Sequence, residues 1–199
     1  MLTKRELFRQ ILHLIIGLLT AITYYLDIIG PLTVFLMIIV GIISSILVKR
    51  IRLPFFSFFL ENFEREEQIE KFPGRGMIFF FIGVLLVMKL FEKDIALASI
   101  MILALGDSIS HIIGEHFGQI KNIFNGKSKK LFEGTLAGTL VGFLGASLFV
   151  PWTHALIASF TAMTAEVIEI DLNHNAVDDN LTVPLVAGTV LYILSKFIV

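Results

Sequence analysis

The chain alternates long apolar runs with short charged segments, and this pattern constrains its fold more than any other feature. A bilayer's hydrocarbon core is about 30 Å thick, a distance that roughly 20 apolar residues span as a helix. Runs of this kind occupy 8–26, 29–48, 75–91, 95–114, 134–151, 152–170 and 181–198. The sequence therefore predicts an all-α, polytopic membrane helix bundle with about seven transmembrane helices.

Composition supports the same fold class and excludes others. The chain is 56% hydrophobic and contains 19 Phe, whereas soluble domains are typically about 45–50% apolar. Its net charge of −1 lacks the basic excess of nucleic-acid-binding proteins, so we expect membrane lipid and not nucleic acid as a partner. The absence of Cys excludes disulfides and thiolate chemistry.

The distribution of basic residues predicts the orientation. Lys and Arg favour cytoplasmic loops, and a cytoplasmic N-terminus places 13 of the 16 basic residues on that side. Only Lys89, Lys93 and Lys196 fall toward the opposite face. We therefore expect a multi-pass protein in the cell membrane of a prokaryote or archaeon, or in the endoplasmic reticulum of a eukaryote.

The chain shows no internal repeat, so the simplest organisation is one integral membrane domain over 1–199. A segment at about 54–72 has four Phe in its first half and continues into acidic residues, which suits a helix lying in the membrane interface or a lipid-covered loop. The polar residues of chemical interest concentrate in the second part of the chain, at about 75–198.

The first polar cluster lies within the fourth predicted span. Asp107, Ser110, His111, Gly114 and Gly118 follow helical spacing and form one stripe. An ionisable residue inside a span is costly and marks a functional site by default. The alternative for Asp107 is a hydrogen bond that orders the bundle.

The second cluster precedes the fifth span. The preference of Lys for cytoplasmic loops accounts for Lys121 and Lys127 better than a contact with substrate does. Lys130 lies three residues before Glu133 at a predicted helix start, where free N–H groups attract phosphate. The glycines that follow are mostly a packing pattern and make a homodimer plausible, although Gly134 could also let phosphate reach the backbone.

The third cluster joins the last two spans. Glu166 lies near the end of one, and Asp178, Asp179 and Asn180 open the next with the hard oxygen ligands that Mg²⁺ prefers. Asp179 or Asn180 could instead be the N-cap of the last helix. All three clusters fall on one membrane face, and together they supply cation ligands, a phosphate partner and a base for phosphoryl transfer.

The ordered motifs resemble those of the CTP-dependent lipid-alcohol kinases, the family of dolichol kinase, phytol kinase and CTP-using diacylglycerol kinase. They are Gly106-Asp107-Ser108, the spaced Gly114 and Gly118, Lys130-x-x-Glu133-Gly134-Thr135, Glu166, and Asp179-Asn180-Leu181-Thr182-Val183-Pro184, with a weaker match at Arg9-x-x-x-His13. The resemblance implies transfer of the γ-phosphate of CTP to a lipid alcohol, with Mg²⁺ or another divalent cation.

The resemblance also implies roles for individual residues. Asp107 and Asp179 would hold the metal and, with Lys130, Glu133 and Glu166, form the catalytic group. The expected contacts to the nucleotide are Ser110, Gly114, Gly118, Lys121, Lys127, Gly134, Thr135 and Asn180.

Substrate and reaction class leave alternatives open. A polyprenol such as dolichol is the first choice of substrate, phytol or geranylgeraniol the second, and diacylglycerol the third. A phosphatidate cytidylyltransferase would also use CTP and Mg²⁺, but the Asp-Arg dipeptide typical of that family is absent. A cation-coupled transporter is the remaining alternative, since Asp107 and Glu166 lie inside predicted spans.

Overall fold

The computed structural model describes residues 3–50, 72–122, 130–168, 171–172 and 175–197. Within these ranges the helices are α1 (Lys4–Tyr25), α2 (Pro31–Val48), α3 (Arg75–Leu90), α4 (Lys93–Phe117), α5 (Phe132–Ala146), α6 (Trp152–Ile168) and α7 (Asp179–Phe197). Two-residue strands, β1 (Asp171–Leu172) and β2 (Asn175–Ala176), pair antiparallel between α6 and α7. The predicted interfacial segment at 54–72 falls outside the described residues except for Phe72, and so does Lys127.

Each predicted span coincides with one of these helices, and the described protein is helical as expected. Four of the helices are long and apolar enough to cross a membrane, judged by length and composition: α1, α2, α4 and α7. The predicted fifth span, 134–151, is longer than the helix in the structure, because α5 ends at Ala146 and a turn leads to Pro151.

Helix α4 forms the centre of the bundle. Every residue from Ile95 to Ala104 is buried, as expected for a helix that neighbours cover on all sides. Helices α1, α3, α5, α6 and α7 pack around it, whereas α2 packs chiefly against α3 at the periphery. The buried apolar residues form a single cluster.

The middle of α4 departs from regular α-helical geometry. Residues Ile102–Asp107 are π-helical, between α-helical Lys93–Met101 and Ser108–Phe117. Such wider turns are rare and often occur at functional sites. The π-helical segment ends on Asp107, the charged residue that the sequence singled out.

The charged residues gather at two opposite ends of the bundle. Lys93, at the start of α4, donates a hydrogen bond to Asp27 just beyond the end of α1, and Lys196 near the end of α7 lies beside Glu92. At the other end, Arg75 at the start of α3 lies 3.5 Å from Asp178, which precedes α7. The polar site lies toward this second end.

Candidate active site

Lys130 is the centre of a buried group of charged side chains from four parts of the chain. Its ammonium donates a hydrogen bond to Glu166 in α6. The same Nζ lies 3.4 Å from Asp179 Oδ2 at the start of α7 and 3.8 Å from Asp107 Oδ1 in α4. The structure therefore brings together four residues that the sequence placed on one face, and we call them the Lys130 cluster.

The charge balance of the Lys130 cluster keeps its lysine protonated. Burial alone would lower the pKa of Lys130, but the facing carboxylates of Glu166, Asp179 and Asp107 raise it well above the usual range. Three carboxylates face one ammonium, so the cluster carries an excess of negative charge when all four groups are ionised. A bound cation would offset that excess.

The three carboxylates have the geometry of a cation site. One oxygen from each of Asp107, Glu166 and Asp179 lies within 4.8 Å of the others. Asp107 Oδ1 is buried and has no hydrogen-bond partner among the described residues. Buried polar atoms normally have a partner, and oxygen ligands of this kind are those that Mg²⁺ prefers. The residues present thus fit a divalent cation.

Close helix packing places Asp107 opposite the start of α5. A Cβ added at Gly138 would lie 2.6 Å from Gly106 O and 2.8 Å from Ser110 Cβ, so only glycine permits this crossing of α5 and α4. Gly134 similarly packs against Gly114. The glycine face is therefore used inside the chain, and a homodimer would need another surface.

The segment before α5 is closed at its base, which positions Lys130. Lys121 and Leu131 form an antiparallel bridge, and Phe132 N–H donates to Ile120 O at 3.0 Å. The Glu133 carboxylate accepts hydrogen bonds from the backbone N–H of Gln119 and of Ile120, at 2.9 and 3.0 Å. In the structure Glu133 thus holds the loop and is not part of the Lys130 cluster.

The start of α7 positions Asp179 through its neighbours. Asp178 is the capping residue: its Oδ1 accepts from the backbone N–H of Asn180 at 3.2 Å and from the Asn180 side chain at 2.9 Å. Neither Asp179 nor Asn180 is the N-cap, which leaves the Asp179 carboxylate directed at Lys130. Pro184 has no N–H to donate to Asn180 O, and that carbonyl packs closely against Gly83 of α3.

The other predicted contact residues have structural partners of their own. Thr135 Oγ1 accepts a hydrogen bond from the buried Asn122 side chain at 2.8 Å. Gly118 packs against Leu131, and Ser110 is buried beside Gly138. Lys121 is exposed at the loop base. Contact of any of these residues with a nucleotide stays a prediction.

Helix α1 contributes residues that the sequence analysis did not assign to the site. His13 Nε2 lies 3.8 Å from Asp107 Oδ2 and has no hydrogen-bond partner among the described residues. Glu6, near the start of the same helix, accepts from Arg9 at 2.5 Å and from Gln10 at 3.1 Å. The available signal was the helical spacing of Glu6, Arg9 and His13 in an otherwise apolar run.

A second group of ligating side chains lies between α1 and α4. Glu6, His111 and Glu115 each offer one ligand atom within 4.8 Å of the others. His111 Nδ1 lies 3.9 Å from an oxygen of each glutamate. Because Glu6 is already paired with Arg9, its charge is largely compensated.

Comparisons with known proteins give the family. No protein-family model and no solved structure matches the chain. An uncharacterized protein of Methanocaldococcus jannaschii is 32% identical over 192 residues, covering 94% of this chain and 93% of the relative. A probable chloroplastic phytol kinase of Triticum aestivum is 27% identical over 209 residues, covering 97% of this chain and 69% of the relative.

A third relative extends the similarity to another substrate. CTP-dependent diacylglycerol kinase 1 of Eremothecium gossypii is 25% identical over 228 residues, covering 98% of this chain and 69% of the relative. The similarity to both kinds of kinase runs through α1 as well as through the four segments that form the Lys130 cluster. This chain therefore belongs to the CTP-dependent lipid kinase family.

Proposed function

We propose that this protein transfers the γ-phosphate of CTP to the hydroxyl of a polyprenol such as dolichol, giving a lipid monophosphate and CDP. Phytol or geranylgeraniol is the second choice of substrate and diacylglycerol the third. The observation that carries the proposal is the Lys130 cluster, in which segments far apart in sequence bring one buried ammonium against three carboxylates.

Each member of the cluster has a role in this proposal. Asp107 and Asp179 hold the divalent cation, and Lys130 contacts the phosphates of CTP. Glu166 fixes the lysine through its hydrogen bond. Mg²⁺, when bound, supplies neutralisation of phosphate charge. The alcohol oxygen attacks the γ-phosphorus, its proton passes to a carboxylate of the cluster, and the bond between the γ-phosphorus and the β-phosphate oxygen breaks to release CDP.

Residues around the cluster shape the site. Glu133 acts by closing the loop before α5, and Gly134 and Thr135 place the start of that helix. The remaining proposed nucleotide contacts are Ser110, Gly114, Gly118, Lys121, Lys127 and Asn180. His13 supports Asp107 from α1, so the catalytic unit includes α1 in addition to 75–198.

We place the site on the cytoplasmic face of a single seven-span domain with a cytoplasmic N-terminus. The concentration of basic residues at the end of the bundle that carries Arg75 and Lys130 supports this orientation. CTP is a cytosolic nucleotide and the lipid tail lies in the membrane, so both substrates meet at that face.

Label transfer tests the proposal. Membranes containing the protein are incubated with γ-labelled CTP, Mg²⁺ and, separately, dolichol, phytol, geranylgeraniol and diacylglycerol. Asp107→Asn removes a cluster carboxylate, and Asp94→Asn makes the same change at the exposed start of α4 as a matched control. We expect label in a polyprenol with the wild type and the control, and none with Asp107→Asn.

Other outcomes would redirect the assignment. If label enters only diacylglycerol or phytol, the protein is still a lipid kinase but its substrate is not a polyprenol. Transfer from α-labelled CTP to phosphatidate, with no labelled alcohol, would replace the kinase by a cytidylyltransferase. Equal activity of Asp107→Asn and Asp94→Asn would show that the Lys130 cluster is not the active site.

A further inference from the structure

An apolar groove runs between α2 and α3, away from the Lys130 cluster. Its space amounts to about 550 Å³, a volume that includes the part open to the surroundings. Its lining is Met37, Gly41, Ser44, Ser45, Val48, Pro73, Gly74, Met77, Ile78 and Phe81. None of these described lining residues is charged, so the groove suits a hydrocarbon chain and not a nucleotide.

The dimensions of the groove suit a chain that lies in one leaflet. On α2 the lining extends from Met37 to Val48, which corresponds to about 16 Å at 1.5 Å per residue. This is roughly half of the 30 Å hydrocarbon core of a bilayer. Small residues create the space, since a Cβ added at Gly41 would already lie 3.2 Å from Ile78 Cγ1.

The groove opens from the membrane side. Helix α2 has few buried residues and packs chiefly against α3, so the groove lies at the edge of the bundle and not in its core. The neighbouring α2 residues Val40 and Ile46 are 59% and 56% exposed. Among the described residues, none would have to be crossed by a lipid chain that enters the groove sideways from the bilayer.

The start of α3 joins the groove to the site. Arg75 Nε lies 3.5 Å from Asp178 Oδ2, and Asn180 Nδ2 donates to Gly76 O at 3.5 Å. Gly74, with φ of +78°, lines the groove immediately before these contacts. A Cβ added at Gly76 would meet no atom of the described residues within 4 Å, so space remains beside this backbone.

We propose that the groove between α2 and α3 binds the hydrocarbon chain of the lipid alcohol, with its hydroxyl end passing the glycine-containing start of α3 toward Asp179. This inference rests on the proposed function, because a lipid-alcohol substrate needs both a charged site and an adjoining apolar groove. The free length of the groove then sets which chains are accepted, and Ser44 and Gly41 control specificity.

A chain-length comparison tests the inference. Ser44→Phe adds an aromatic ring inside the groove, and Ile46→Phe places the same ring two residues away on the exposed face as a control. Phosphorylation is measured with a short alcohol, geraniol, and with a long polyprenol. We expect Ser44→Phe to lower kcat/KM for the long alcohol about tenfold or more, with the short alcohol changed by about twofold at most.

The outcomes separate this inference from the proposed function. Absence of labelled product from every alcohol with the wild type overturns the proposed function itself. If the wild type is active and neither Ser44→Phe nor Ile46→Phe changes the ratio of kcat/KM between long and short alcohols, only the assignment of the groove is overturned. Equal loss for both alcohols in Ser44→Phe also overturns it, because chain binding would have spared the short one.

Cross-linking provides a second measurement, which uses the wild-type protein and so does not depend on whether a variant folds. A polyprenol carrying a diazirine in its chain is photolysed in membranes containing the wild-type protein, and labelled peptides are mapped by mass spectrometry. We expect labels on the groove faces of α2 and α3 that excess unlabelled polyprenol removes and excess phosphatidylcholine does not. Labels removed equally by phosphatidylcholine would mean that ordinary bilayer lipid fills the groove.

Discussion

Replacing Lys130 by Met tests whether the buried charge cluster stabilises the fold. The ammonium bonds to Glu166 and lies 3.4 Å from Asp179 and 3.8 Å from Asp107. At an effective dielectric constant of about 20, charges this far apart attract by about 4–5 kcal/mol per pair, much of it offset by desolvation. Removing one partner from a buried pair leaves unpaired charge, so we expect the free energy of unfolding to fall by about 3–5 kcal/mol.

Lys93→Met is the matched control. Lys93, like Lys130, donates a direct hydrogen bond to a carboxylate: its Nζ lies 2.6 Å from Asp27 Oδ1. The Asp27 side chain is 81% exposed, however, and exposed ion pairs contribute about 0–1 kcal/mol. We therefore predict that Lys130→Met lowers the free energy of unfolding more than Lys93→Met does, because Lys130 is the buried one of the two.

Unfolding by sodium dodecyl sulfate in mixed micelles, followed by far-ultraviolet circular dichroism, gives the free energies for all variants. If Lys130→Met costs no more than Lys93→Met, the description of the cluster as a buried ion network is wrong. Adding Glu166→Gln to Lys130→Met removes one unpaired carboxylate. The double variant should thus be more stable than the sum of single costs predicts, by about 1–3 kcal/mol.

Three further predictions concern packing, a buried hydrogen bond and the metal. Thr135→Val removes the acceptor of the buried Asn122 side chain and should lower the free energy of unfolding by about 1–3 kcal/mol; the control is Thr164→Val, which removes an exposed hydrogen bond within α6. Gly138→Leu forces atoms against Gly106 O and should lower the melting temperature, or prevent folding, whereas Leu136→Met on the exposed face should not. Chelation by EDTA should abolish label transfer from CTP, and excess Mg²⁺ should restore it; full activity in EDTA would contradict a carboxylate-held cation.

The sequence predicted the positions of the helices well because lipid-spanning runs and their polar breaks are visible in one dimension. It could not rank the helices by burial. Helix α2 is strongly apolar yet mostly exposed, whereas α4 is covered on all sides. Lipid and protein interior are equally apolar, so hydropathy reports the membrane and not the position within a bundle.

The sequence also predicted the segments of the site better than the details within them. Asp107 and Glu166 are ionisable residues inside apolar runs, and the cost of placing them there singled them out. Lys130 and Asp179 were identified by their positions at predicted helix starts. His13 was given only as part of a weaker family match, because its helical spacing from Glu6 and Arg9 does not reveal a partner on another helix. The π-helical turn before Asp107 and the capping by Asp178 depend on neighbouring helices, which a linear pattern does not contain.

Because the loop before α5 is closed at its base, changes in the length of the loop need not alter the geometry of the site. Because the Lys121–Leu131 bridge and the Glu133 hydrogen bonds fix both ends, residues added or lost between 123 and 129 need not displace Lys130. Lengthening a loop costs little chain entropy. Residues inserted in this stretch away from Lys127, the proposed nucleotide contact, should therefore leave Lys130 beside its carboxylates.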